Sequence, residues 1–259
     1  MKLCRVQWRG ETHFGRLADG RVHFFTGPGP IPGEESGRSA PLEECRLLAP
    51  VEPGKIVAVG KNYRAHVREL SGLLEPEQKE PERPLLFLKP STSVIGPGEA
   101  IVCPPGAGRV DYEAELGVVI GRRVKNLPPE RFAEAVLGYV CLNDVTARDL
   151  QKSDGQWTRA KGFDTFCPIG PWVETELDPF RATVRARLNG AVRQEESTAA
   201  MIFPVDQLIG YISSIMTLLP GDVIATGTPV GVAPLAPGDE IQIEIDGIGT
   251  LTNPVRAGE

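Results

Sequence analysis

The chain contains no apolar run approaching the roughly 20 residues of a membrane-spanning helix. Its opening stretch, Met1-Lys-Leu-Cys-Arg-Val-Gln-Trp-Arg-Gly-Glu11, lacks the layout of a signal peptide. It has no excess of positive charge either. The 28 Lys and Arg against 34 Asp and Glu leave a net −6, which argues against nucleic acid or an anionic membrane surface as partner. Cysteine is sparse: Cys4, Cys45, Cys103, Cys141 and Cys167 are odd in number and scattered. With no Cys-x-x-Cys pair, neither a zinc site nor a disulfide framework is expected, and the cytoplasm is the expected compartment. Also missing are Gly-x-Gly-x-x-Gly, a phosphate loop ending Gly-Lys-Ser/Thr, Gly-x-Ser-x-Gly and His-Glu-x-x-His. The common nucleotide-binding, serine-hydrolase and zinc-protease assignments thereby lose their main support.

What is abundant is turn-forming residues. The 29 Gly and 24 Pro are spread along the chain rather than concentrated, so they mark many turns and point to a β-rich fold. At about 150 residues per domain, the 259 residues accommodate one large or two unequal domains. Short alternating segments such as Gly20-Arg-Val-His-Phe-Phe25 suggest a small β-rich N-terminal domain over 1–52, followed by a larger domain over 53–259. Strands are expected at Lys55–Gly60, Leu85–Lys89, Tyr112–Ile120 and Leu137–Asn143, and a hairpin turning at Asn189-Gly190. Tyr63 to Leu70 has helical character, and a second helix after Pro204 would align Leu208, Ile212, Ile215 and Leu219. The polar, Pro-rich run from Ser71 to Pro84 buries too little apolar surface to offset its ordering entropy and is expected to be mobile.

Four segments could carry chemistry. In Asp111-Tyr-Glu-Ala-Glu-Leu, Glu113 and Glu115 share one face of a strand, about 7 Å apart. Such a pair suits a hard divalent cation, and equally a solvated edge strand. In Asn143-Asp-Val-Thr-Ala-Arg-Asp-Leu-Gln151, Thr146 and Asp149 have capping-box spacing. There Asp144, Arg148 and Gln151 could hold a cation and an anionic substrate, or merely cap a helix and pair at the surface. His66 and Glu69 lie three apart, so on a helical turn the carboxylate can orient the imidazole as an acid/base dyad, although surface His–Glu pairs are common. Thr226-Gly-Thr-Pro229 reads as a turn with exposed hydroxyls and amides able to cradle a carboxylate, or as a plain turn.

The order of these segments is more telling than any one. Gly-Lys-Asn-Tyr-x-x-His-x-x-Glu (60–69), Phe-Leu-Lys-Pro-Ser (87–91), Asp-Tyr-Glu-x-Glu-Leu (111–116), Asn-Asp-x-x-x-Arg-Asp-x-Gln (143–151), Lys161-Gly-Phe-Asp and Gly-Asp-x-Ile-x-Thr-Gly-Thr-Pro-x-Gly-Val (221–232) occur in that sequence. Over about residues 54 to 255 this resembles the fumarylacetoacetate hydrolase family, and within it the bacterial branch holding 2-hydroxyhepta-2,4-diene-1,7-dioate isomerase and a related decarboxylase. The resemblance implies an α+β, β-rich fold, a mixed β-roll or sandwich catalytic domain behind a small β-rich N-terminal domain, assembled as a homodimer. It implies Glu113, Glu115 and Asp144 as ligands of Mg²⁺ (Mn²⁺ or Ca²⁺ in some members), and Lys161 beside the metal. It further implies Arg148, Gln151 and Thr228 at the substrate, and His66 with Glu69 as the dyad on a lid. The expected partner is a small anionic 2-oxo acid. The implied activity is enolate chemistry on 2-oxo or 2-hydroxy-dienoic diacids, foremost the isomerase reaction of aromatic (4-hydroxyphenylacetate) catabolism. The alternatives are acylpyruvate or fumarylpyruvate hydrolysis, oxaloacetate decarboxylation, or a catalytically idle metal or carboxylate binder with a structural role. A degenerate binder would have no need of His66.

Overall fold

The computed structural model describes residues 1–27, 29, 31–73 and 79–259, with 72 and 73 described by their helical backbone alone. The chain starts as an antiparallel meander, Lys2–Trp8, Glu11–Ala18, Arg21–Phe25 and Glu35–Pro41. Two of its connections are two-residue turns, Arg9-Gly10 and Asp19-Gly20, with all four residues at positive φ (52°, 85°, 49° and 72°). That is the type I′ geometry whose twist matches the flanking strands. Asn189-Gly190 closes the hairpin of Thr183–Leu188 and Ala191–Ser197 in the same way, where the sequence places it.

The meander is continuous with the main sheet of the molecule. Lys2–Trp8 pairs with Cys167–Glu174, and the sheet runs on through Val136–Asn143, Ala114–Ile120, Val223–Ala225, Ile56–Gly60 and Leu85–Lys89. With two short strands pairing off this path, it counts twelve strands among the described residues. A five-stranded sheet, ordered Ala191–Ser197, Thr183–Leu188, Glu240–Ile245, Gly249–Ala257 and Ile101–Cys103, packs on one of its faces. The fold is β-rich with few helices, as expected.

Alternation along the strands places the core. Ala114, Leu116, Val118 and Ile120 point toward the smaller sheet and join Val184, Ala186, Ile241, Ile243 and Leu251. Val119, with Val140 and Leu142 of the neighbouring strand, packs on the opposite side with Ile56, Ala58, Ile169 and Val223. Each buried Val, Leu or Ile among them stabilises by roughly 1.5–3 kcal/mol. Because both faces are covered, Ala114–Ile120 is buried throughout, which is why it reads as a nearly continuous apolar run.

Two expectations change. The helix after Pro204 spans Val205–Ile215 and buries Val205, Leu208, Ile209 and Ile212. Ile215 is 51% exposed and Leu219 lies beyond the helix, so the apolar stripe is shorter than the spacing suggests. The capping box at Thr146 does not form. Its hydroxyl donates to Asp144 C=O at 2.8 Å, Asp149 accepts from Arg109 N–H, and the helix Arg148–Asp154 has Ala147 at its N-cap. Of the run Ser71–Pro84 expected to be mobile, residues 74–78 lie outside the described residues. No helix among the described residues is long and apolar enough to cross a membrane.

Candidate metal centre and active site

The parity that buries Val119, Val140 and Leu142 also sets Glu113, Glu115 and Asp144 on one face, at one end of the two neighbouring strands. Register pairs Ala114 with Asn143 and Glu115 with Leu142. Asp144 N–H then donates to Glu113 C=O at 2.9 Å, and Asn143 Oδ1 accepts Glu113 N–H at 2.9 Å. The three carboxylates each offer an oxygen within 4.8 Å of the others, and all three are buried. The sequence-predicted ligands are therefore brought together.

Charge is distributed unevenly over this cluster. Lys161 Nζ lies 2.7 Å from Glu113 Oε2 and 2.7 Å from Asp144 Oδ2. Arg148 reaches Glu113 Oε1 at 2.5 Å, Asp111 Oδ2 at 2.8 Å and Gln151 Oε1 at 2.9 Å. Lys89 Nζ donates to Asp144 Oδ1 at 2.6 Å. Burial pushes the Glu113 carboxyl up, but Lys161, then Arg148 and His66, overcome it and hold it down at about 2. Burial pulls the Lys161 ammonium down, but Asp144 and Glu113 outweigh it and keep its pKa raised, so Lys161 stays a cation.

Glu115 is treated differently. Among the described residues no cation pairs with it, and its Oε2 accepts the backbone N–H of Gly227 at 2.7 Å. Burial first, then Asp144 and Glu113, raise its carboxyl well above the ordinary 4.5. Asp111, Glu113, Glu115 and Asp144 are buried against Lys89, Arg148 and Lys161, so one buried negative charge is left uncompensated apart from half-exposed Arg109 on Asp111. A buried carboxylate in that position demands a proton or a cation. Three hard oxygen donors within reach of each other suit Mg²⁺, Mn²⁺ or Ca²⁺, so the residues present fit such an ion.

The dyad faces the same cavity. His66 and Glu69 sit on the helix Arg64–Leu73, with His66 Nδ1 and Glu69 Oε2 2.9 Å apart. Glu69 Oε1 accepts the N–H of Gly231 at 3.0 Å. An ionised carboxylate only accepts, so Nδ1 carries a proton, and in the neutral imidazole the lone pair is on Nε2. Gly231 has φ 106°, and a Cβ there would lie 2.1 Å from Arg193 O, so no other residue fits. Its C=O is held by Tyr112 Oη at 3.0 Å. His66, Glu113, Glu115, Asp144, Arg148, Gln151, Lys161 and Thr228 all line this cavity, together with Leu70, Phe87 and Trp157. Its volume is about 20 Å³, space for about one water.

Residues 55–256 match the family described as Fumarylacetoacetate (FAA) hydrolase C-terminal, and residues 1–50 match Rv2993c-like, N-terminal. The chain belongs to the fumarylacetoacetate hydrolase family. It is 44% identical to a solved 2-hydroxyhepta-2,4-diene-1,7-dioate isomerase from Mycobacterium marinum, with TM-score 0.90 over 99% of this chain and 98% of that one. It is 29% identical to the maleylpyruvate hydrolase of Sphingobium sp. SYK-6, solved with manganese(II) and pyruvate, with TM-score 0.82 over all of both chains. The mitochondrial oxaloacetate tautomerase Fahd2a of Rattus norvegicus is 38% identical over 83% of this chain and 71% of its own length. The family thus includes isomerases, hydrolases and tautomerases among this chain's relatives.

Against this family background, one expected feature is corrected. The hydroxyls of the Thr226-Gly-Thr-Pro229 turn are buried, not exposed. Thr226 Oγ1 donates to Leu116 C=O at 2.8 Å and Thr228 Oγ1 to Ala114 C=O at 2.9 Å. The turn extends the pairing of Val223–Ala225 with Ala114–Ile120, so its protons go to strand carbonyls. Gly227, at φ 97°, lets the backbone approach, since a Cβ there would lie 2.7 Å from Asn62 Cβ. Sequence reasoning also missed Lys89, Asp111 and Gln194. Lys89 was within reach: it is the inward-facing position at the end of Leu85–Lys89, and a buried lysine needs a carboxylate.

Proposed function

We propose that the protein is a divalent-cation-dependent enzyme that enolises a small anionic 2-oxo acid. Its favoured reaction is isomerisation of a 2-hydroxy-dienoic diacid such as 2-hydroxyhepta-2,4-diene-1,7-dioate. Glu115 carries this reading: a buried carboxylate without a cation, set in a three-carboxylate cluster, with a histidine lone pair on the same cavity. Mg²⁺, Mn²⁺ or Ca²⁺ held by Glu113, Glu115 and Asp144 would supply Lewis acidity toward the 2-oxo acid.

The chain's own residues account for the proton. Glu69 fixes the His66 tautomer and favours the imidazolium that forms when Nε2 takes a proton from the 2-hydroxyl of the dienoic acid, or from the carbon beside the oxo group of a 2-oxo acid. Lys161, kept cationic and in the cavity lining, would stabilise negative charge developing on the substrate oxygen. Return of the proton from His66 to the far end of the conjugated system completes an isomerisation, and its return to oxygen completes a tautomerisation. Arg148 is held flat by Asp111, Glu113 and Gln151, preset to meet a substrate carboxylate.

A second reading is favoured by the aromatic wall of the cavity. The Trp157 ring closes over Gly60, where a Cβ would lie 2.5 Å from Trp157 Cζ3, and meets Phe87 edge-on at 5.3 Å. Two aromatic rings in the lining favour a shorter diacid such as oxaloacetate, on which the same proton transfer is a tautomerisation. Turnover of the dienoic diacid, oxaloacetate and an acylpyruvate, each with Mg²⁺ and with EDTA, tests the proposal. Cation-dependent isomerisation or tautomerisation supports it. Cation-independent turnover, or hydrolysis alone, contradicts it.

A further inference from the structure

Ala114 stands between two of the three clustered carboxylates, and side chains claim both polar groups of its backbone. Its N–H donates to Gln194 Oε1 at 2.9 Å, and its C=O accepts from Thr228 Oγ1 at 2.9 Å. The other end of the Gln194 amide donates to Thr228 Oγ1 at 2.9 Å and to Pro229 C=O at 2.6 Å. The orientation of that amide is forced, because Ala114 N–H needs an acceptor and Pro229 C=O needs a donor. Thr228 therefore accepts from Gln194 and gives its only proton to Ala114. A closed ring, Gln194 to Ala114 to Thr228, encircles the backbone that carries Glu113 and Glu115.

Gln194 reaches this place through a defect in the smaller sheet. Ala186 pairs with Gln194 but Arg187 pairs with Val192, so Arg193 is bulged out of the hairpin. Such a bulge re-aims the neighbouring side chain. Gln194 is fully buried while Val192 and Arg193 are exposed. The same bulge sets Arg193 C=O against Gly231, whose N–H holds Glu69. One irregularity thus abuts both halves of the site.

We propose that Gln194 is a positioning residue that fixes the spacing of Glu113 and Glu115 for a divalent cation and leaves Thr228 facing substrate without a hydroxyl proton to give. This rests on the cation-dependent function proposed above. Groups standing behind metal ligands change metal affinity or activity by about 10–100-fold when removed. Gln194→Met keeps the volume and removes all three hydrogen bonds. Gln194→Asn keeps the amide but is one methylene too short to span from Ala114 to Pro229, and serves if the Met variant does not fold. Asn253→Leu is the control: Asn253 is equally buried and bonded to the carbonyls of Gly96 and Glu99, away from the cavity.

Mn²⁺ binding by calorimetry, well below the melting temperature of each variant, tests the proposal. A Gln194 variant is expected to bind Mn²⁺ about 10–100-fold more weakly than wild type, while Asn253→Leu melts lower yet binds as wild type. Wild-type Mn²⁺ affinity in Gln194→Met or Gln194→Asn, or an equal loss in Asn253→Leu, overturns the inference and leaves the cation reading standing. Wild-type protein that takes up no Mn²⁺ overturns both.

Discussion

Gly227 N–H and Glu115 Oε2 meet at 2.7 Å, and this amide stands where the neighbouring carboxylates have lysine or arginine. A single amide cannot neutralise a buried carboxylate flanked by Asp144 and Glu113, so burial and these neighbours favour its protonated form in the metal-free protein.

That proton gives stability a pH dependence of definite sign. The folded-state pKa of Glu115 lies above its ordinary 4.5, raised by burial and then by Asp144 and Glu113. The folded state therefore holds a proton that the unfolded state releases above about 4.5, and the associated stability is lost as pH rises toward the folded-state pKa. A divalent cation replaces that proton. Melting curves with Mn²⁺ and with EDTA should diverge as pH rises, and calorimetry in buffers of differing ionisation enthalpy should show proton release on binding. A melting-temperature gap that is constant with pH, with no proton released, would count against Glu115 as the titrating ligand.

Glu115→Gln separates stability from binding. It removes the cost of keeping a carboxyl protonated above its ordinary pKa but keeps the shape, so the metal-free variant should melt higher than metal-free wild type at neutral pH. Each kcal/mol gained corresponds to about 2–4 °C at this chain length. Mn²⁺ affinity and activity should fall together. A variant that melts lower without metal and binds Mn²⁺ as wild type would show Glu115 to be structural.

Gly231→Ala should injure the dyad and spare the cation. With φ 106° and Arg193 O only 2.1 Å from the new Cβ, the loop must shift and release Glu69 Oε1. The expected result is a kcat lowered toward that of Glu69→Ala, with Mn²⁺ affinity unchanged. Equal losses in both would mean that the loop supports the carboxylates rather than the histidine.

Much of this site could be read from the chain because strand and helix spacing place its parts locally. Glu113 and Glu115 share a face by alternation, and His66 meets Glu69 across one helical turn. Lys89, Asp111 and Gln194 were not legible in that way. Their partners lie 55, 37 and 80 residues away, and only sheet order and register bring them together. The mistaken cap at Thr146 has a related cause: Thr146–Ala147 pairs with Val110–Asp111, so tertiary pairing holds the residue extended and overrides the local capping pattern. The continuity of the N-terminal meander with the main sheet was invisible for the same reason, since it rests on Lys2 meeting Glu174.

In the proposed reaction His66 moves a proton on a 2-oxo acid beside a cation that Glu113, Glu115 and Asp144 would hold. Solvent deuterium exchange at C3 of pyruvate or oxaloacetate, followed by NMR with Mg²⁺ present, observes that proton directly. Wild type should exchange it in a reaction abolished by EDTA. His66→Ala should lower the rate by about 10²–10⁴-fold, the usual size of an acid/base contribution, while binding oxalate as tightly as wild type. Exchange that is as fast in His66→Ala, or that proceeds unchanged in EDTA, would contradict the account.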